Sequence, residues 1–158
     1  MQQPAYTNIV TAFITDNPYT ISSCSQVDVA DAAVTIFDVS RNRLNYIPAT
    51  LFSLMPALRF LDASSNRIRT LPPDTVWCEG GWPEVCRVKL DNNLLVHLPQ
   101  YLTQLHGLRV LELSSNALVE LPSKPWRCAQ LTTLVRAGGL VGYICLPRCS
   151  NVQVVNAW

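Results

Sequence analysis

Net charge is the first thing this sequence lacks: twelve Lys and Arg stand against eleven Asp and Glu in 158 residues, a balance of +1. A nucleic-acid partner would normally call for a basic stripe or patch, so the balance argues against one. Long apolar runs are missing as well. No stretch reaches the ~20 residues that a bilayer-spanning helix needs. The opening MQQPAYTNIVTAFITDNPYT has no basic segment followed by the unbroken apolar run of a secretory signal. The expectation is a soluble chain kept in the cytoplasm, with no membrane partner.

Catalytic and metal-binding ingredients are equally scarce. The six glycines form no GxxxxGK[ST] phosphate loop, and the pairs Gly80-Gly81 and Gly138-Gly139 do not replace one. There are two histidines, His97 just before Leu98-Pro99 and His106 further on, and nothing in the sequence sets either beside a nucleophile and an orienting acid. No catalytic residue, cofactor or small-molecule substrate is expected. Six cysteines are present: Cys24, Cys78, Cys86, Cys128, Cys145 and Cys149. The even number leaves disulfides open, with Cys78–Cys86 and Cys145–Cys149 the pairs to suspect. Free thiols, some packed as small hydrophobes, are the preferred reading. A zinc site needs four convergent Cys or His ligands, and the spacing provides none.

What the chain does have is a phrase that returns four times: VTIFDVSRNRLNYIP at 34–48, LRFLDASSNRIRTLP at 58–72, VCRVKLDNNLLVHLP at 85–99 and LRVLELSSNALVELP at 108–122. Apolar residues hold the first, fourth, sixth, eleventh and fourteenth places of each copy, although Ala63 is small for its sixth place. Proline ends the phrase and asparagine holds the ninth place as Asn42, Asn66, Asn93 and Asn116. The steps between asparagines are 24, 27 and 23 residues (42 to 66, 66 to 93, 93 to 116). A period this constant marks a solenoid in which each repeat packs only on its neighbours.

The phrase resembles the leucine-rich repeat over about 34–135. That resemblance implies an α/β repeat fold, a horseshoe solenoid with short parallel strands on its concave face and helical, 3₁₀ or irregular arms on its convex side. It also implies that Asn42, Asn66, Asn93 and Asn116 form a structural ladder, each amide bonding main-chain groups at the turn after a strand. This would explain why a polar residue sits in so apolar a phrase, since an unpaired buried amide costs about 1–3 kcal/mol. The arms YIPATLFSLMPAL at 46–58 and HLPQYLTQLHGL at 97–108 follow a Leu-Pro-then-every-third pattern suited to a 3₁₀ turn. With a repeat near 23 residues they are similar to the cytoplasmic LPxxLxxLxxL subclass found in signalling scaffolds and in Roco GTPase-kinases. The stretch LPSKPWRCAQLTTL at 121–134 looks especially like a Roco-type leucine-rich-repeat kinase.

Outside this range the pattern decays. Residues 1–33 form an N-terminal flank, where IVTAFITDNPY at 9–19 is either a decayed repeat or unrelated to the array. In the first case Ile9, Ala12, Ile14, Asn17 and Tyr19 take the first, fourth, sixth, ninth and eleventh places. At 131–147 a fifth repeat begins but sets Arg136 where an apolar residue belongs and Gly139 where the asparagine belongs. The remainder, 136–158, reads as a degenerate tail or a truncated repeat, with VQVVNAW resembling the start of a further strand. Between Pro72 and Val85 the arm is longer than its neighbours, and Trp77 and Trp82 flank a Gly-Gly pair. These residues predict a loop that is either a tolerated insertion or a second binding site.

Strand alternation turns the third and fifth places of each repeat away from the core. The third gives Ile36, Phe60, Arg87 and Val110, and the fifth Asp38, Asp62, Lys89 and Glu112. An apolar lane beside a mostly acidic one is expected, broken by Arg87 and Lys89. The function this supports is non-catalytic: a module that binds, on its concave face, a protein segment with basic residues beside apolar ones, in intracellular signalling. The alternative, implied by the Roco resemblance, is a fragment of a larger GTPase-kinase whose catalytic domains lie elsewhere.

Overall fold

A computed structural model describes residues 9–10, 34–47, 49, 55–75, 83–123, 125–137 and 153–157. Its centre is one parallel sheet of seven strands, in which spatial order equals chain order. The strands are β1 (Ile9–Val10), β2 (Ile36–Asp38), β3 (Phe60–Asp62), β4 (Arg87–Lys89), β5 (Val110–Leu113), β6 (Thr133–Ala137) and β7 (Gln153–Ala157). One strand per turn of chain, always paired with the strand of the turn before, makes a leucine-rich repeat solenoid.

Register follows the repeat. Phe37, Leu61, Val88, Leu111 and Leu134, all at the fourth place, lie side by side across β2 to β6, and all are buried. The eleventh-place residues Leu44, Ile68, Leu95 and Leu118 are buried behind them, and Leu58, Val85 and Leu108 at the first place are fully buried. With Val39, Ala63, Leu90 and Leu113 at the sixth place buried as well, the coils send four rows of apolar residues inward. Opposite the sheet, Met55, Leu102, Leu105 and Cys128 line the core from the return arms. The third arm contains the expected 3₁₀ turn at Gln100–Gln104. Its buried Thr103 is satisfied, donating to the Gln100 carbonyl at 2.7 Å and accepting from the Gln100 and Gln104 amides.

Two elements sit outside the four clear copies. β1 pairs with β2 so that Ile9 lies beside Ile36. Ile9 therefore takes the third place of a coil, two residues from the first place that the spacing to Asn17 assigns it; Ala12, Ile14, Asn17 and Tyr19 lie outside the described residues. β7 continues the stack with Gln153 beside Thr133 and Asn156 beside Arg136. Arg136, anomalous in the sequence, is simply a residue of β6.

The corner after each strand has a conformation that the sequence does not announce. Arg41, Ser65, Asn92 and Ser115, all at the eighth place, adopt positive φ between 50° and 56°. L-residues pay about 1–2 kcal/mol for this left-handed geometry, and glycine does not. Glycine in turn adds about 0.5–1 kcal/mol of backbone entropy to the unfolded chain. Ser115→Gly is therefore expected to be neutral or to stabilise by up to about 1 kcal/mol, whereas Ser115→Val should destabilise. Paired urea titrations check the sign, and a more stable valine variant would contradict it.

Candidate functional site

The asparagines come first, because they hold the sheet's edge in place. Asn93 accepts the Ile68 N–H on Oδ1 at 2.9 Å, while Nδ2 donates to the carbonyls of Ala63, Leu90 and Asp91 at 2.9, 3.1 and 3.3 Å. Asn66 repeats the arrangement with Leu44, Val39, Ala63 and Ser64. Asn116 does so with Leu95, Leu90, Leu113 and Ser114. Each amide binds its own corner and, in addition, the sixth-place carbonyl and eleventh-place N–H of the preceding coil. Asn42 bonds Val39 and Ser40 within its own turn.

On the open face of the sheet the two expected columns are present. Ile36, Phe60, Arg87 and Val110 lie side by side, as do Asp38, Asp62, Lys89 and Glu112. Thr133 and Val135 extend them onto β6, an extension that the apolar pair Leu131 and Leu134 already signals in the sequence. Arg87 is exposed and the other seven are half-buried. The loop residues Trp77 and Trp82 lie outside the described residues.

Arg87 and Lys89 do more than interrupt the lanes. Lys89 Nζ stands 3.7 Å from Asp62 and 4.0 Å from Glu112, its two row neighbours, and Arg87 Nη2 reaches Glu112 at 3.2 Å. The Arg87 guanidinium also lies over the Phe60 ring, 5.5 Å from its centroid, within range of a cation–π contact. Asp62 further accepts from the Ser64 N–H and hydroxyl at 3.1 and 2.6 Å. Asp38 accepts from the Ser40 N–H at 2.9 Å and forms no ion pair among the described residues. Partly exposed pairs of this kind are worth about 0–1 kcal/mol each. Their effect is to neutralise the acidic lane locally, leaving Asp38, beside Ile36 and Phe60, as the carboxylate with most capacity for a partner's cation.

The remaining candidates do not converge. His97 and His106 are both exposed, on different parts of the coil. Among the described residues no three His, Cys, Asp or Glu side chains are grouped as a metal site, and no helix is long and apolar enough to cross a membrane. Cys86 and Cys128 are free thiols, Cys128 donating to the Thr103 carbonyl at 3.1 Å. The other four cysteines lie outside the described residues.

A parallel strand in each coil, rows of inward apolar residues and, at Asn66, Asn93 and Asn116, an amide that clamps the coil before it define a leucine-rich repeat solenoid, and the sequence model of the Leucine Rich Repeat family matches residues 57–78. The chain is also similar to the leucine-rich repeat serine/threonine-protein kinase 1 of Caenorhabditis elegans, at 37% identity over 97 residues. The aligned stretch covers 61% of this chain and 4% of that protein, and it agrees with the resemblance to leucine-rich-repeat kinases.

Proposed function

We propose that the chain is a non-catalytic protein-interaction module whose open, concave sheet face holds a protein segment. The observation that carries this reading is the half-buried Phe60 beside Ile36 on the open face, in a row that Arg87 separates from Val110 and that runs alongside the row of Asp38. A partner would lay apolar side chains along that row and set a basic group at Asp38. Truncating a central aromatic anchor typically costs 2 kcal/mol or more of binding, about thirtyfold in affinity.

The test is Phe60→Ala combined with Asp38→Asn, a pair that removes the anchor and the charge but keeps an acceptor for the Ser40 N–H. The immobilised variant should lose one or more proteins that the parent chain retains from cell lysate, and those proteins, once purified, should bind the parent directly. Its urea midpoint should stay close to the parent's. Retention of the same proteins by the variant would remove the sheet face from consideration.

A second reading is favoured by the similarity to a kinase. In it the repeats act as a docking or regulatory arm of a multidomain signalling enzyme in the cytoplasm, a compartment that suits the free thiols of Cys86 and Cys128. An antibody raised against 85–122 discriminates. A band near 17.6 kDa in cell lysate supports a small adaptor, and a much larger band supports the enzyme arm.

A further inference from the structure

Beside the sheet, each coil continues after its asparagine in an extended stretch. Arg67 N–H donates to the Leu44 carbonyl, Arg69 N–H to Asn45, Leu94 N–H to Ile68 and Val119 N–H to Val96, and Tyr46 bridges in parallel to Thr70. The eleventh-place residue points inward, so the tenth and twelfth face solvent on a lateral flank. Two rows result. The tenth places read Arg43, Arg67, Leu94 and Ala117, and the twelfth read Asn45, Arg69, Val96 and Val119.

This flank differs from the sheet face in two respects. First, Arg67 and Arg69 are exposed and form no ion pair among the described residues, whereas Asp62, Lys89, Arg87 and Glu112 on the sheet face are all paired. Second, of the exposed large hydrophobics of the described structure, Leu94, Val96 and Val119 at 44, 38 and 67% exposure belong to this flank, and Tyr46 lies beside it at a thirteenth place. Single exposed aliphatics are ordinary, but a contiguous set rimmed by charge marks an interaction site. The flank is therefore basic over the first two clear coils and apolar over the next two.

We propose that this flank is a second interaction surface whose ligand is an extended protein segment with acidic residues at one end and aliphatic residues at the other. Neighbouring strands are ~4.8 Å apart, so the basic and apolar halves, two coils apart, are centred ~10 Å from each other. An extended chain covers that distance in about three residues at ~3.3 Å each. The acidic and aliphatic positions of the ligand are accordingly about three residues apart. Carboxylates meet Arg67 and Arg69, with the bidentate geometry that guanidinium allows, while the aliphatics cover Leu94, Val96 and Val119.

The test is selection of a random peptide library, displayed on phage, against the full chain. The strongest peptides are then synthesised and measured by fluorescence anisotropy. Selected peptides should share acidic and aliphatic residues at the stated separation. Their affinity should fall on the order of tenfold for Arg67→Gln with Arg69→Gln, fall similarly for Val96→Ser with Val119→Ser, decline as salt rises, and be unchanged for Phe60→Ala. Arg67 and Arg69 are exposed and make no ion pair among the described residues, so the glutamine pair should leave the urea midpoint close to the parent's, which separates lost binding from lost folding. Peptides without acidic residues, or peptides indifferent to both flank variants, overturn the proposal. So do binding of anionic vesicles or RNA with no peptide selected, and sedimentation showing that the flank pairs with a second copy.

Discussion

Replacing Asn93 with alanine is expected to lower the unfolding free energy by about 1–3 kcal/mol. The side chain is buried and makes four bonds to main-chain groups. Its loss strands the Ile68 N–H, while the Ala63, Leu90 and Asp91 carbonyls keep the Asn66 amide, the Asn116 amide and the Ser65 N–H, and one buried group left unpaired costs about 1–3 kcal/mol. Asn42→Ala should be milder, because the bonds Asn42 makes among the described residues stay within its own turn. Equilibrium urea denaturation read by circular dichroism measures both. An Asn93→Ala midpoint indistinguishable from the parent's would mean that the amide ladder is decorative.

Leu111→Ala carries the second large effect, a loss of about 2–5 kcal/mol. Leu111 is 1% exposed and lies between Val88 and Leu134 in the fourth-place row. Parallel neighbours fixed by main-chain pairing cannot close over the vacated space, so most of the cavity should persist. In a stack where each coil contacts only adjacent ones, such a defect can also divide the array into two parts that unfold separately. A reduced denaturant slope, beyond a lower midpoint, would be the sign of that division. A loss below about 1 kcal/mol would contradict the inward placement of this row.

Much of the architecture is legible in the sequence because the restraints repeat. Four copies of one spacing identify inward rows, strand register and the asparagine corner, and the open-face columns follow from alternation alone. The left-handed eighth place is not legible, since Ser65, Asn92 and Ser115 each stand beside an identical residue, Arg41 differs from all three and none is glycine. The placement of Ile9 fails for a related reason: with one asparagine and no second copy nearby, spacing does not distinguish the first place from the third. The pairing of Lys89 with both row neighbours needs side-chain reach, which residue order does not supply. The arginine cluster is hidden for a different reason: a whole-chain charge of +1 averages over it, and Arg43 joins Arg67 and Arg69 only once the coils are stacked.

The asparagine clamp also gives the solenoid a direction in time. Leu44 obtains the partner for its N–H from Asn66, Ile68 from Asn93 and Leu95 from Asn116, over separations of 22, 25 and 21 residues. The acceptor always comes from the coil made later. On a ribosome each coil would leave the exit tunnel with its corner unfinished and remain so until roughly one further repeat had emerged. Structure would then accrue in steps a repeat long, always one coil behind synthesis, and a pause in translation would leave a single loose coil at the growing end.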